Sequence, residues 1–258
     1  MALSFDSIQL GQQAGPFKYP VKDHVEAYLK ATDNNHDWFV RRSPWGPPIA
    51  PPGLLFDATV QMMQQEFGVP PAPVLAEQEV SFRSAVRQDR TIIGYGMFVN
   101  KRIVEGRGNL IFEARFRDEV DLIVGHSLLS FSLPNEPAPR LEPQIEKPAE
   151  GELVSLVKGL TADRLDAYNP GRPAELVCSD CISDLMFNVF ERDWPVSGDM
   201  ALTFLDTPNV GDIVAASGRV SDRVEQGAVV RTVYTVWCED QGGRLLAIGT
   251  AAAVTPLR

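Results

Sequence analysis

The side chains best suited to acid–base chemistry lie in one short polar stretch, Asp33-Asn34-Asn35-His36-Asp37-Trp38. A carboxylate and an imidazole this close in sequence can serve as base and acid when both reach neighbouring substrate atoms. The same residue types also have structural roles, because Asp and Asn are common in turns and at helix ends, and a histidine in a polar turn is usually exposed. We treat Asp33 and His36 as catalytic candidates, and Asn35 and Trp38 as candidate substrate contacts.

A second group of candidates lies at the start of a predicted buried helix over Leu54–Phe67, which follows two prolines and a glycine. Its apolar residues recur as on one helical face, at Phe56, Val60, Met63 and Phe67. Backbone amides around Gly53 and Leu54 can bind a negatively charged oxygen, because the helix dipole is positive at this end. Asp57, in the first turn, either complements the dipole or is a reactive carboxylate that contacts the substrate.

The cysteines Cys178, Cys181 and Cys238 are too few for a disulfide framework. A Cys-x-x-Cys spacing can bind metal or take part in redox chemistry, but the second half of the chain has no histidine and no second such pair. Cys178 instead repeats with three other apolar residues on one helical face, Ile182, Leu185 and Val189. We therefore expect a core helix here, with no metal and no redox cofactor.

Composition narrows the class of protein. Hydrophobic residues make up 44% and charged residues 22% of the 258 positions, which is ordinary for a globular protein with a large core. The formal charge of −10 argues against nucleic acid or an anionic membrane as a partner, since both attract basic surfaces. The N-terminus lacks the basic and apolar segments of a signal peptide, and no apolar run is long enough to span a bilayer, so we expect a cytoplasmic location.

The two halves of the chain share a pattern that indicates a tandem duplication. A shift of 123 positions aligns Asp57 with Asp180, Met63 with Met186, Phe67 with Phe190 and Asp89 with Asp212, and a shift of 124 aligns Gly125 with Gly249. Between the halves lies a segment rich in proline and glutamate, which has no core-forming pattern of its own. We predict an N-terminal repeat over residues 1–132, a linker over 133–152 and a C-terminal repeat over 153–258.

Each half also has the same order of elements. An apolar helix, over Leu54–Phe67 or near 175–190, is followed by a short strand around Phe82 or Phe204. Three longer strand-like runs follow, at 91–99, 110–116 and 123–131 in the first half and at 213–220, 229–237 and 245–254 in the second. A long helix wrapped by an antiparallel sheet is the hot-dog arrangement. The expected fold is therefore an α+β double hot-dog whose two sheets join edge to edge.

Several motifs indicate one family. Gly15-Pro-Phe-Lys-Tyr-Pro-Val leads into a predicted amphipathic helix over 21–31, which ends in Ala-Thr-Asp-Asn-Asn, and Ile49-Ala-Pro-Pro precedes the buried helix. The second half contains Trp194-Pro-Val-Ser-Gly, Pro208-Asn-Val-Gly-Asp and a final stretch over 236–251. In these motifs the chain resembles the MaoC-like acyl-thioester dehydratases and R-specific enoyl hydratases, which are hot-dog proteins, along almost its whole length.

The resemblance implies an enzyme that adds or removes water across the α,β bond of an acyl chain, carried as a thioester on coenzyme A or acyl carrier protein. In that family an Asp-x-Asn-Pro-x-His loop supplies the aspartate and histidine that handle the water and the α-proton. Here Asp33, Asn34 and Asn35 fit the start of the motif, whereas His36 takes the proline position and Trp38 the histidine position. The corresponding stretch of the second half, 165–171, is shortened and has no histidine. The first-half loop is therefore the expected site.

Three functions stay open. The first is a hydro-lyase that uses Asp33 and His36 on an acyl thioester and needs no cofactor beyond the carrier of its substrate. The second is a catalytically silent hot-dog protein, either a binding module or the partner of an active subunit. The third is a thioesterase, because hot-dog thioesterases carry a working carboxylate on the helix that contains Asp57. A pocket lined by His36 and an aspartate favours the first, and side chains that fill both clefts favour the second. A homodimer or a heteromeric hot-dog partner is the expected assembly.

Overall fold

The computed structural model describes residues 4–104, 107–133, 142–143, 145–159 and 171–257. The α-helices in these ranges are α1 (Val25–Thr32), α2 (Asp37–Val40), α3 (Leu54–Phe67), α4 (Leu176–Phe190) and α5 (Trp194–Ser197). The strands of the first half are β1 (Gln13–Pro20), β2 (Val74–Phe82), β3 (Thr91–Val104), β4 (Arg107–Asp118) and β5 (Ile123–Ser132). Those of the second half are β6 (Leu153–Gly159), β7 (Asp199–Phe204), β8 (Ile213–Gln226), β9 (Val229–Glu239) and β10 (Leu245–Pro256).

These strands form one antiparallel sheet in the order β1-β3-β4-β5-β2-β7-β10-β9-β8-β6. The two halves of this order mirror each other, and β2 and β7 meet at the centre. At this seam Glu77 pairs with Thr203, and Val80 pairs with Met200. The 123-residue shift relates Glu77 to Met200 and Val80 to Thr203, so it exchanges the two pairs. The seam therefore has the two-fold symmetry that the duplication predicts.

Each long helix packs on the sheet of its own repeat. α3 contacts β1, β3 and β5, whereas α4 contacts β6, β8, β9 and β10. The predicted apolar faces are buried, with Phe56, Val60 and Met63 on α3 and Cys178, Ile182 and Leu185 on α4. Full burial of a large apolar side chain stabilises a fold by roughly 1.5–3 kcal/mol. The predicted α+β double hot-dog is thus confirmed, and none of the helices in the described ranges has the length and apolar character needed to cross a membrane.

Some boundaries differ from the prediction. The sequence prediction did not include the edge strands β1 and β6. Polar residues interrupt both strands, and prolines lie within or at the end of β1. The helix predicted over 21–31 begins only at Val25, after a 3-10 turn at Val21–Asp23. Residues 134–141 of the predicted linker lie outside the described residues, so the repeat boundaries stay a prediction.

Two glycines that match between the repeats have the same structural reason. Gly125 lies on β5 next to β2, and Gly249 lies on β10 next to β7. A Cβ atom on Gly125 would overlap the carbonyl oxygen of Ser81, and one on Gly249 would overlap the carbonyl oxygen of Ala201. Both strands therefore need a residue without a side chain where they approach the central pair of strands.

Gly249→Ala is expected to destabilise the protein by about 1–3 kcal/mol, because the new Cβ meets backbone that cannot turn away. Chemical denaturation followed by tryptophan fluorescence measures the difference. Gly159→Ala is the control, since no atom of the described residues lies within 4 Å of a Cβ built there, and it should change the unfolding free energy by less than about 0.5 kcal/mol. Equal stabilities for the two variants would contradict the close approach of the strands.

Candidate functional site

A buried arginine joins the two repeats at the starts of their long helices. Arg172 donates from Nε to Asp57 Oδ1 at 2.5 Å and from Nη2 to Asp180 Oδ2 at 2.6 Å. The 123-residue shift relates Asp57, on α3, to Asp180, on α4. The remaining oxygen of Asp180 accepts a hydrogen bond from the Tyr28 hydroxyl at 2.7 Å. Arg172 therefore lies between the halves and holds one carboxyl group from each.

Burial controls the protonation of this cluster. It raises the pKa of the Asp57 carboxyl to about 7, against the attraction of Arg172, which lowers that pKa. Burial also raises the pKa of Asp180, although Arg172 and Tyr28 act in the opposite direction. Burial alone would lower the pKa of Arg172, but the two carboxylates raise it, so the guanidinium stays charged. Asp57 is therefore a carboxyl that takes up a proton near neutral pH.

A second set of contacts runs along one face of α4. The side chains of Asp180, Asp184 and Phe187 point the same way, because the residues are spaced by four and three positions. The segment that contains α1 and α2 crosses this face and meets it in chain order, with Tyr28 at Asp180, Asn34 Nδ2 at Asp184 Oδ1 (2.7 Å) and the His36 ring at Phe187 (4.8 Å between centroids). The first repeat thus reaches across to the long helix of the second.

Lys158 balances the charge of Asp184. Its Nζ contacts Asp184 Oδ2 and donates to the Thr32 carbonyl oxygen at 2.5 Å. Burial raises the pKa of Asp184 to about 6, against the attraction of Lys158. Burial alone would lower the pKa of Lys158, but Asp184 raises it above its ordinary value. In the described part of this cluster, three carboxyls face two cations, so one proton on a carboxyl balances the charge.

The structure places the four candidates of the polar loop in two environments. Asp33 ends α1 in a left-handed conformation, with φ of 50°, and both Asp33 and Asn35 are exposed. His36 is partly buried and caps α2, because its Nδ1 accepts from the Trp38 amide at 3.2 Å. Its ring packs edge-on against Phe187 and Trp38. The loop therefore brings His36 and Trp38 together on α4 and leaves Asp33 and Asn35 at the surface.

The cap also decides where the proton of His36 lies. Since Nδ1 is the acceptor, the neutral imidazole carries its proton on Nε2. Burial lowers the pKa of His36, while the charges of Asp37 and Glu191 raise it by less. This shift favours the neutral form of the imidazole at pH 7.

The start of α3 is packed closely. The Leu54 amide donates to the Pro51 carbonyl oxygen at 3.0 Å, so it is already hydrogen-bonded. Gly53 lies against the Tyr28 hydroxyl, and a Cβ at this position would overlap the hydroxyl oxygen. Gly53, Leu54 and Asp57 are thus brought together at the helix start, and Asp57 faces Arg172 rather than solvent.

A small apolar pocket of about 20 Å³ lies beside the same helix start. Its lining comes from the residues before α3, the first turn of α3 and the ends of neighbouring strands, and includes Pro52, Leu54, Leu55, Phe82 and Ile92. Leu54 precedes Asp57 by three residues, so the two lie on one side of the helix. The pocket has room for about one water molecule, so an acyl chain can enter it only if neighbouring side chains move.

Sequence reasoning missed most of the buried polar cluster. It did not select Arg172, Lys158 or Asn34 as site residues. The match between Asp57 and Asp180 was the available signal, because a carboxylate on a buried helix face needs a cation. The segment 165–170, the predicted counterpart of the Asp33 loop, lies outside the described residues.

No protein-family model and no curated protein sequence matches this chain, but comparison with solved structures gives one fold. A protein described as a MaoC domain dehydratase from Chloroflexus aurantiacus superposes with a TM-score of 0.72 at 12% identity, over 100% of this chain and 98% of that one. A double hot-dog protein from Mycobacterium tuberculosis gives 0.61 at 11% identity, over 99% and 98%. A protein described as an oleoyl thioesterase from Lactobacillus plantarum gives 0.57 at 11% identity, over 85% and 93%. This chain therefore has the double hot-dog fold of the MaoC-like dehydratases.

Arg172→Met is expected to lower the unfolding free energy by about 3–5 kcal/mol at pH 8, because two buried carboxylates lose their shared cation. The loss should be smaller at pH 5, where those carboxyls take up protons more readily. Urea denaturation at both pH values measures the change. Arg83→Met is the matched control, since Arg83 and Asp199 form a half-exposed pair and such pairs contribute about 1 kcal/mol or less. Equal losses for the two variants would contradict the proposed role of Arg172.

The raised pKa of Asp57 predicts how stability depends on pH. The folded protein keeps a proton on this carboxyl from its ordinary pKa of 3.8 up to about 7. The stabilisation from this proton is therefore complete at low pH and is lost as the pH rises through about 7. Because each pH unit in this range costs up to about 1.4 kcal/mol, Asp57→Asn should gain stability relative to the wild type between pH 5 and pH 8. Parallel pH profiles from urea denaturation would show that the carboxyl is ionised throughout.

Proposed function

We propose that this protein is a hydro-lyase that adds water to, or removes it from, an acyl thioester. The position of His36 carries the proposal. Its loop lies across the long helix of the other repeat, and the Trp38 amide holds the imidazole in one tautomer. A partly exposed, neutral imidazole with a defined tautomer is suited to transfer a proton near pH 7.

Asp33 supplies the second acid–base group in this proposal. It ends α1 three residues before His36, and its exposure leaves it accessible to a ligand that lies over the loop. Asn35 and Trp38 are the proposed polar and aromatic contacts to the substrate. The similarity to proteins described as dehydratases supports the reaction class through the fold.

The acyl chain is proposed to enter the apolar pocket beside α3, which Leu54 and Leu55 line and which must widen to admit it. The Leu54 amide is already hydrogen-bonded to Pro51, so Leu54 acts here through its side chain. Coenzyme A or acyl carrier protein carries the thioester, and the reaction needs no other cofactor. Because the formal charge of the chain is −10, neither nucleic acid nor an anionic membrane is proposed as a partner.

A second candidate, a catalytically silent acyl-binding or partner protein, rests on one specific observation. Arg172 fills the space between the starts of the two long helices and bonds to Asp57 and Asp180, so these carboxyls are enclosed. A thioesterase that relies on Asp57 would need this arginine to move. Turnover decides between the hydro-lyase and the silent protein.

His36→Asn is expected to lower kcat by about 10²–10⁴-fold, since general acid–base catalysis contributes about that factor. Asparagine keeps an acceptor that can cap α2, so the local fold should persist. Asp33→Asn should have an effect of similar size, and the double variant should lose less than the product of the two factors if the residues act as a unit. The absorbance of the conjugated enoyl thioester, followed over a panel of chain lengths and ring-bearing acyl groups, measures the rate.

His126→Asn is the control for the histidine, because His126 lies on a sheet strand and contacts Glu113, away from α4. It should leave kcat unchanged. Wild-type rates equal to buffer across the panel would favour the silent protein. A wild-type rate that survives both loop substitutions would remove Asp33 and His36 from the mechanism.

A further inference from the structure

Asn34 links the loop of the first repeat to the long helix of the second. Its side-chain Nδ2 donates to Asp184 Oδ1 at 2.7 Å, and its Oδ1 accepts from the backbone amide of His36 at 3.1 Å. Asn34 is half-buried, whereas its neighbours Asp33 and Asn35 are exposed. Of these three residues, Asn34 is therefore the one whose side chain turns inward, and both ends of its amide have a partner.

The two contacts of Asn34 require different atoms. A side-chain oxygen that accepts from the backbone amide two residues later forms an ordinary turn, which an aspartate would also make. The contact with the Asp184 carboxylate needs an N–H donor, which an ionised aspartate lacks. The turn alone thus leaves the choice between aspartate and asparagine open, and the carboxylate of Asp184 selects the amide.

Asp184 is itself held firmly in the second repeat. Its side chain is buried, and Lys158 contacts Oδ2, so each carboxylate oxygen has a partner. The same ammonium group donates to the carbonyl oxygen of Thr32, the last residue of α1, at 2.5 Å. A buried polar network whose members all have partners makes the segments that it joins more rigid. Lys158 and Asp184 together therefore hold the end of α1 and the loop that follows it.

The hydrogen bonds continue to the imidazole. The His36 amide binds Asn34, and His36 Nδ1 accepts from the Trp38 amide at 3.2 Å, so both the backbone and the ring of His36 are held. The ring lies edge-on to Phe187, at 4.8 Å between centroids, and Phe187 is three residues beyond Asp184 on α4. A series of hydrogen bonds thus runs from Asp184 through Asn34 to His36.

We propose that Asn34 and Asp184 are positioning residues for His36. The carboxylate of the second repeat fixes the amide, and the amide fixes the loop that carries the imidazole. Neither residue is assigned a contact with the substrate. The effect of the two residues on the reaction rate rests on the proposed function, whereas their effect on the position and tautomer of the imidazole does not.

Proton transfer explains why such a support matters. Displacing a reacting group by about 1 Å can lower the rate by roughly 10²-fold. His36 lies on a short segment between α1 and α2, and loops position a side chain less precisely than helices do. Asp184 lies on a helix of 15 residues, so the hydrogen bonds transfer the fixed position of α4 to the loop.

Exchanging the two side chains tests the inference. Asn34→Asp sets a carboxylate against Asp184, and Asp184→Asn turns an N–H group towards either Asn34 or Lys158, so each single variant brings like groups together. Each should lower kcat by about 10- to 100-fold, with little change in KM. The combined variant, N34D with D184N, restores both contacts, because the amide at position 184 donates to the carboxylate at position 34 and its oxygen accepts from Lys158. It should recover most of the lost kcat.

Gln64→Met is the matched control for a contact between the repeats. Gln64 is half-buried on α3, not on α4, and its Nε2 donates to the Gly171 carbonyl oxygen at 3.0 Å. The substitution should leave kcat unchanged. The rates come from the enoyl thioester assay at pH 8, above the pKa of about 6 of the Asp184 carboxyl.

Nuclear magnetic resonance of the imidazole nitrogens gives a readout that a merely structural role would not move. The chain has three histidines, and the signals of His36 are identified by their loss in His36→Asn. In the wild type they should show a neutral ring with its proton on Nε2, because Nδ1 is an acceptor. Both single variants should shift these signals, and the combined variant should return them to their wild-type positions.

Single variants that keep the wild-type kcat, or that lose it while the His36 signals stay unchanged, would overturn the inference. A folded combined variant that fails to recover kcat and the signals together would overturn it as well, since complementary side chains would then not be the cause. If a single variant does not fold, a combined variant with wild-type kcat and signals supports the inference, and one without them contradicts it.

A wild type without turnover removes the hydro-lyase, and the His36 signals still decide whether the two residues hold the imidazole. Shifts in both single variants that the combined variant reverses support the positioning role. Signals that stay unchanged in both single variants overturn it. Failure of the proposed function and failure of the inference are therefore separate results.

Discussion

One guanidinium group, that of Arg172, holds both long helices at their first turns. Taking a carboxylate or a guanidinium out of water costs several kcal/mol, and close pairing has to offset that cost. The distances of 2.5 and 2.6 Å from Arg172 to Asp57 and Asp180 show such pairing. Apolar faces alone tolerate small shifts between α3 and α4, because hydrophobic contact is non-directional. The charged contacts require one alignment, and the backbone pairing of β2 with β7 requires the same one.

The two repeats have the same arrangement of strands around a long helix, but the segments that contact the two helices differ. On α4, the first repeat places a phenol, an amide and an imidazole along one face, from Tyr28, Asn34 and His36. On α3, the second repeat places Arg172 at Asp57, and the carbonyl oxygen of Gly171 accepts from Gln64 Nε2 at 3.0 Å. One cleft therefore contains a partly exposed imidazole, that of His36, and the other is closed by the cation of Arg172. A reaction that needs proton transfer is therefore assigned to the cleft that contains His36.

The sequence predicted what depends on periodicity and repetition. The faces of α3 and α4, the repeated order of elements along the chain and the relation of Asp57 to Asp180 all followed from spacing along the chain. The edge strands β1 and β6 did not, because a strand with one neighbour needs less apolar alternation than a central one. The ion pairs of Arg172 and Lys158 did not follow either, since no local pattern reveals which distant carboxylate a basic residue will reach. The packing of His36 on Phe187 depends on how the two repeats assemble. No local sequence pattern predicts that contact.

The fold by itself leaves the reaction open, because similar structures carry descriptions as different as dehydratase and thioesterase. What differs is the environment of each titratable group. Burial raises the pKa of Asp57 to about 7 and that of Asp184 to about 6, so the charge of the buried cluster changes across this range. Burial lowers the pKa of His36, which favours the neutral imidazole at pH 7. The buried carboxyls contact both repeats, and His36 lies on the same face of α4. The assembly of the repeats and the chemistry of the loop therefore depend on pH together.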